Sequence, residues 1–523
     1  MATATQPERG QSGIVRNSAT MSLFNGLGVL GGLALDMAVA ALFGLGQATD
    51  GFFLAFTVPQ FVMLVLQSSY VNGLVPVLTG LQEGDPDRAW TVFSRLLNLN
   101  TVLIGAITVA GWLSAGWITA LVGAGLPAAR QVEVAQLARI LFMMLPPLAL
   151  AEVMRAQLNA LQRFAVPSAS NIVRYAAALA TLLLGYRAWG IRALAVGYVI
   201  GALGQMVFLA ADVAHAGGRY RFSWSLADPD LRAATRLLVT RAGGIGLRRS
   251  GLIVERFLAS FLPAGSVTAL SYGRRMSLSL YQVFANSVST AILPSLSASA
   301  QAGDKAAQRR DLRLGYRLLS LTTWPAAALM AALSVPIVRV LFQRGAFDAA
   351  DTSLTATLLT IYVLNVPALA LVQVLLAPLY AGRDAGTPTR HMAWMLGVNI
   401  LLAWGCMRFL GVNGLAWAAT VTAALSLGRA YWLLRELGGL DLGGYTLRVV
   451  GASCMAGLAA WATWTVLARL ADSGSAVITL LTAAAAGSLG GLLYAAAVWL
   501  MRLKDLPDLG RLLRSRIGQR DSS

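Results

Sequence analysis

The sequence predicts an all-α polytopic membrane protein of about fourteen transmembrane helices, built as two pseudo-symmetric six-helix lobes plus two C-terminal helices. Three observations predict it. Of 523 residues, 57% are hydrophobic and 12% charged, and the mean hydropathy of +0.65 is too apolar for a soluble globular chain. Apolar runs of roughly 20 residues, enough to cross about 30 Å of hydrocarbon, recur along the whole chain. Two separated blocks of sequence then repeat at nearly one offset.

Taken in order, residues 1–19 form a polar tail with Arg9 and Arg16, and the first apolar run lacks a cleavage site, so it reads as an uncleaved span. Spans are expected near 20–45, 50–81, 90–123, 131–158, 165–187, 191–214, 231–262, 265–300, 312–342, 353–380, 388–409, 411–437, 445–470 and 475–501. The first six make an N-lobe over 20–217, the next six a C-lobe over 218–438, and 439–501 holds two further helices before a basic tail at 502–523.

The repeat carries the lobe division. "GLVPVLTGLQEGDPDRAW" (73–90) returns as "AILPSLSASAQAGDKAAQ" (291–308), with Pro76 matching Pro294 at a shift of 218. "PPLALAEVMRAQLNALQRFAVP" (146–167) returns as "PALALVQVLLAPLYAGRDAGTP" (367–388), and "GIRALA" (190–195) as "GVNGLA" (411–416), both at 221. An offset spanning an even number of helices makes the repeats parallel, related by an axis along the membrane normal, as in transporters with a cavity between halves.

The net charge of +18 does not point to nucleic acid, because the cations lie in short loops rather than in one stripe or motif. An even span count puts both termini on one side. Arg88, Arg155, Arg221, Lys305, Arg383 and Arg435 are among the many loop cations there, against Arg130, Arg192, Arg339 and Arg469 among the few opposite. The positive-inside rule makes the first side cytoplasmic. Cys406 and Cys454 read as packing residues, and His215 and His391 stand near loops without an acidic cluster, so neither a metal site nor catalytic residues are expected.

What remains is a set of cations inside the spans. "GLRRSGLIVERFLASFL" (246–262) holds Arg248, Arg249, Glu255 and Arg256, and the following span adds Arg274 and Arg275. At 100° per residue, Arg241, Arg248, Arg249, Glu255 and Arg256 share a wedge of about 120°, giving one charged and one apolar face. An arginine at the bilayer centre costs at least about 2.5–3.5 kcal/mol, so such a face belongs in a cavity or at an interface where the side chains snorkel. A cationic cavity fits an anionic substrate, since guanidinium forks match phosphate oxygens. Glu255 would hold one arginine while the site is empty. Asp50 reads either as the N-cap of the second span or as a functional acid. Asp36, among Gly31, Gly32, Ala34 and Ala38, reads as an ion-pair partner or a cation ligand.

These stretches resemble the MurJ/MviN family of lipid II flippases, within the multidrug/oligosaccharidyl-lipid/polysaccharide exporter superfamily. The matching segments are "LDMAVAALFGLGQATDGFFLAFTVP" (35–59), "LVPVL" (74–78), "LNALQRFAVP" (158–167), "FLASFLPAGSVTALSYGRR" (257–275), "TAILPSLS" (290–297), "LFQRGAF" (341–347) and "LLAPLYAGRDAGTP" (375–388). The resemblance implies alternating access that moves an undecaprenyl-pyrophosphate-linked sugar between leaflets of the bacterial inner membrane. Membrane lipids would be partners, with a coupling cation or the membrane potential as drive, and with no cofactor. It matches Asp36, Asp50 and Arg275 to family positions. Val29, Leu35, Met63 and Leu64 stand where the family has basic residues, while Arg248, Arg249 and Arg256 stand where it is polar and uncharged. An exopolysaccharide precursor is therefore a second substrate reading beside lipid II. An ion-coupled exporter of amphipathic drugs, the nearer alternative, would line its cavity with acids, and a membrane glycosyltransferase would show outward acid–base residues; a non-transporting scaffold in cell-envelope synthesis is a further alternative because the family arginines are absent.

Overall fold

Prolines, small residues and caps decide where the helices of this chain break. A computed structural model describes residues 8–218, 220–225, 227–381, 386–434, 442–470 and 475–501; the side chains at 8–20, 22, 71, 72, 241, 248, 285–294, 296, 297, 300, 301, 380 and 381 lie outside that description. Among the described residues there are helices and no strand. In order they are α1 (Glu8–Phe43), α2 (Gln47–Gly84), α3 (Pro86–Leu113), α4 (Ala115–Val122), α5 (Ala128–Phe142), α6 (Leu145–Ala160), α7 (Ala165–Trp189), α8 (Arg192–His215), α9 (Pro229–Arg249) and α10 (Gly251–Ala259). They continue with α11 (Ser266–Gln301), α12 (Lys305–Ala332), α13 (Ser334–Phe342), α14 (Ala349–Val363), α15 (Val366–Ala381), α16 (Gly386–Leu433), α17 (Gly443–Leu470) and α18 (Ala476–Leu500).

The repeat is written into these boundaries. Helices α5 and α6 are broken just ahead of Pro146, and α14 and α15 just ahead of Pro367, because proline fits the first turn of a helix and not its interior. Gly190 ends α7 at φ 55° and ψ −136°, and Gly411 bends α16 at φ 56° and ψ −132°. Both are left-handed conformations that favour glycine. The all-α membrane architecture therefore holds, and matching proline and glycine breaks recur at the offset of the sequence repeat.

The number fourteen does not follow from helix length and composition. Among the described residues nine helices are long and apolar enough to cross a membrane, and the pair α12–α13, bent by 67°, makes a tenth if it is one span. The segment read as span 7 falls short because α9 carries Arg232, Arg236, Arg241, Arg248 and Arg249 and is separated from the nine-residue α10 at Ser250.

The chain divides into two compact units, residues 1–267 and 268–523. In the first, α2, α3, α6, α8 and α9 share a core of Tyr70, Leu74, Phe93, Leu96, Val153, Leu209 and Leu231. Helices α7 and α8 approach closely: a β-carbon at Gly201 would lie 2.4 Å from the carbonyl oxygen of Arg174, and one at Gly197 2.8 Å from that of Ala178. Helices α9 and α10, which the repeat pairs with α1, pack here against α2 and α3.

In the second unit, α12, α15 and α16 meet through Leu312, Leu319, Leu371, Leu375 and Ala430. The Ser277 hydroxyl of α11 donates to the Tyr362 carbonyl of α14 at 3.0 Å, and Tyr272 stacks on Phe342 with centroids 4.9 Å apart. Helices α17 and α18 pack on α12: Tyr494 donates to the Leu321 carbonyl at 2.8 Å, and Val449 and Val498 close the contact.

Candidate functional site

The cations read from the sequence occupy different environments. Arg249, the last residue of α9, is exposed. Arg248 precedes it, and its side chain lies outside the described residues. Glu255 on α10 is half-buried, whereas Arg256, seven residues from Arg249, is 4% exposed. Its Nη1 donates to the Val267 carbonyl at 2.7 Å, and its guanidinium lies 5.5 Å from the centroid of the Phe53 ring on α2. Arg256 thus ties α10 to α2 and to the start of α11. In the second unit Arg275 of α11 is exposed and Arg274 half-buried. Neither unit by itself assembles the whole set of arginines.

Asp36 is 5% exposed on α1, a helix that lies close on α7. A β-carbon at Gly28 would come within 3.2 Å of Asn171 Cβ, and one at Gly31 within 3.4 Å of Tyr175 Cβ. Small residues on α1 therefore set the approach that buries the acid.

Asp50 takes a role that sequence reasoning did not specify. At the start of α2 the N-cap is Gly46, and Thr49 Oγ1 accepts from the Gly46 amide at 3.0 Å and donates to the Gly44 carbonyl at 3.2 Å. The Asp50 carboxylate, 6% exposed, accepts from the backbone amide of Gly265 at 2.7 Å. Gly265 has φ +91° and belongs to the loop between α10 and α11. Beside it the Gly125 amide donates to Ser260 Oγ at 3.0 Å, and a β-carbon at Gly125 would sit 2.4 Å from the Ser260 carbonyl oxygen. These contacts seat the end of α10 against the start of α2 and the loop after α4. A cavity of about 610 Å³ opens next to them, with Asp50, Arg130, Glu133, Arg192 and Leu262 in its wall.

Sequence reasoning missed a buried polar seam in the same unit. Glu152 and Arg155 lie 3.4 Å apart on α6, and Arg155 donates to Ser170 Oγ at 3.0 Å and Asn171 Oδ1 at 3.3 Å on α7. Gln205 of α8 donates to the same Ser170 at 3.1 Å. The spacing of Glu152 and Arg155 was a usable signal, since residues three apart on a helix are neighbours. Among the described residues no cluster of three or more His, Cys, Asp and Glu could hold a metal. His391 contacts Ser426 Oγ at 2.9 Å.

A family model described as "Lipid II flippase MurJ" matches residues 39–485. A Vibrio cholerae protein named "Probable lipid II flippase MurJ" is 29% identical over 470 residues, covering 84% of this chain and 88% of its own. A Burkholderia cenocepacia protein named "Lipid II flippase MurJ" is 25% identical, covering 81% and 84%. Among solved structures, "Lipid II flippase MurJ, inward closed conformation" superposes with a TM-score of 0.75 at 19% identity over 93% of this chain and 98% of that one. An inward-facing multidrug transporter of the MATE family gives 0.65 at 11% identity over 78% and 95%. At these identities the two superpositions speak for the fold.

Proposed function

Since the chain belongs to the MurJ family of lipid II flippases, we propose that it carries an undecaprenyl-pyrophosphate-linked glycan from the cytoplasmic to the outer leaflet of the bacterial inner membrane by alternating access. The observation that carries this reading is the family match over 39–485, which takes in both repeats. It is a membrane flippase rather than a member of an enzyme family. The loop-charge asymmetry supports cytoplasmic placement of both termini.

The substrate's pyrophosphate needs replacement donors when it leaves water, because an unpaired charge in a low-dielectric site costs several kcal/mol. Exposed Arg249 and Arg275, with Arg248 and Arg274 beside them, are the groups we assign to it. Arginine stays charged at every accessible pH and offers a planar fork. Buried Arg256 acts through position, holding α10 against Phe53 and Val267. Glu255 and Asp36 are assigned as supporting acids, with a coupling cation or the membrane potential as the drive. On the assigned topology the Asp50–Gly265 bond lies at the outer end of the helices. Outward opening would then require that bond, worth about 1.5–3 kcal/mol as a charge-assisted contact, to be broken or exchanged.

A second substrate is favoured by one observation. Val29, Leu35, Met63 and Leu64 occupy positions where the family resemblance implies basic residues, and Leu35 is 1% exposed, packed as core. An exopolysaccharide precursor shares the pyrophosphate and differs in the sugar contacts. The test is transport in proteoliposomes of purified chain, with fluorescent lipid II and a polyprenyl-pyrophosphate oligosaccharide offered separately. Protein-dependent transfer of either between leaflets supports the proposal. Transfer of neither, by a folded protein under an imposed membrane potential and a sodium or proton gradient, contradicts it.

A further inference from the structure

The cavity of about 610 Å³ in unit 1 has an apolar lining of Leu126, Pro127, Val134, Leu137, Ile191 and Leu262. Sites for small organic molecules fall between about 300 and 1,000 Å³ and combine such a lining with a few placed polar groups. Here Arg130, Glu133 and Arg192 stand among the polar groups of the wall.

The rim is tied together by side chains. Arg130 Nη1 donates to Glu133 Oε2 at 2.6 Å and its Nη2 donates to Gln47 Oε1, joining the first turn of α5 to the first residue of α2. Gln131 Nε2 donates to the Leu126 carbonyl at 3.1 Å and to the Gly123 carbonyl at 3.3 Å, which holds the loop between α4 and α5. Arg192, the first residue of α8, donates from Nη2 to Gln136 Oε1 at 2.9 Å. The wall therefore needs no rearrangement to receive a ligand.

Formal charges in the wall cancel, but their matching is unequal. Glu133 is paired with Arg130, and the Asp50 carboxylate accepts from the Gly265 amide. Arg192 is exposed and bonded to a neutral amide, and among the described residues it meets no carboxylate. The first turns of α5 and α8 both contribute to the wall, and neither has a side-chain cap. The positive end of each helix dipole thus adds to the field of Arg192. Arg130 and Arg192 are also two of the few cations that the assigned topology puts on the outer face, where positive charge is scarce.

We propose that this cavity binds a small organic anion with an apolar body, its phosphate or carboxylate at Arg192 and its body against Leu126, Val134 and Leu137. A guanidinium matches either oxyanion. Purified full chain in phosphatidylcholine nanodiscs, irradiated with para-benzoylphenyl phosphate or para-benzoylbenzoate, tests it, with labelled peptides identified by mass spectrometry. Uncharged para-methoxybenzophenone and cationic para-benzoylbenzyl-trimethylammonium are the controls. At least one anion should label residues 126–137 or 262–264 saturably, and more than either control does at equal concentration. Arg192→Gln should raise the concentration needed about tenfold, the scale of one charge-assisted contact. Ala129→Trp, which fills the cavity and leaves Arg192 in place, should remove the labelling; Ala48→Trp on the opposite wall gives the same reading should Ala129→Trp melt below the parent. Labelling by neither anion, labelling that does not saturate, equal labelling by the uncharged probe, or parent affinity in folded Arg192→Gln would overturn the site. None of these readings requires glycan transfer, so a failure here and a failure of the flippase proposal are told apart.

Discussion

The Asp50 carboxylate accepts a 2.7 Å hydrogen bond from the backbone amide of Gly265, 215 residues further along the chain. It joins the first turn of α2 to the loop that opens α11. Asp50→Ala should loosen that loop by about 1.5–3 kcal/mol, roughly a 10- to 100-fold shift in its opening. In a Cys406→Ser/Cys454→Ser background, a cysteine at Ala264 should react faster with an impermeant maleimide once Asp50 is gone. Unchanged reactivity would remove Asp50 from this role.

Gly265 itself cannot be varied freely. Its φ of +91° is disfavoured for any residue with a β-carbon, and that carbon would lie 3.0 Å from Leu45 Cβ. Gly265→Ala should cost about 1–3 kcal/mol, read as a lower thermal midpoint of the detergent-solubilised chain. Gly46→Ala, where the added carbon meets nothing within 4 Å, serves as the nearby control.

Arg249 and Arg256, which a helical wheel puts on one side, should part company. Arg256→Ala removes a buried bond to Val267 and a cation–π contact with Phe53, and should destabilise the fold by about 2–4 kcal/mol. Arg249→Ala, at an exposed position, should stay within about 0.5 kcal/mol of the parent. Thermal melting of both variants checks the contrast. Equal melting would mean that Arg256 is not a positioning residue.

Close packing of α7 on α8 gives a further test. Gly201→Ala would push a methyl to 2.4 Å from the Arg174 carbonyl oxygen and should cost about 1–3 kcal/mol. Gly105→Ala, on α3 with open space around it, should be neutral or slightly stabilising.

Much of this architecture was legible because it depends on local chemistry. Pro146 and Pro367 mark the two matching helix breaks, and Gly190 and Gly411 mark the matching turns, all visible as one repeat offset. The roles of charged residues were less legible. A helical wheel puts Arg249 and Arg256 on one side, yet it carries no information about the neighbours each meets; Phe53 and Val267 enclose the second. Asp50 reads as a cap because it stands near a helix start, but Gly46 takes the N-cap position and the acid serves a distant amide. Glu152 and Arg155 sit in an apolar run and look like loop-side charge until α7 supplies Ser170 and Asn171. Pairings between distant segments are what a single sequence leaves unwritten.

Exposed Arg249 and Arg275 are each proposed to contribute to holding the pyrophosphate of a lipid-linked glycan during transfer. The most direct test is the initial rate at which proteoliposomes move fluorescent lipid-linked glycan between leaflets, compared for the parent, Arg249→Gln, Arg275→Gln and Arg275→Lys at equal protein content and equal thermal midpoint. Each glutamine variant should lose at least about tenfold, the scale of one charge-assisted contact, with partial recovery by lysine, which keeps the charge without the fork. Parent rates from a folded Arg249→Gln/Arg275→Gln double variant would contradict that role.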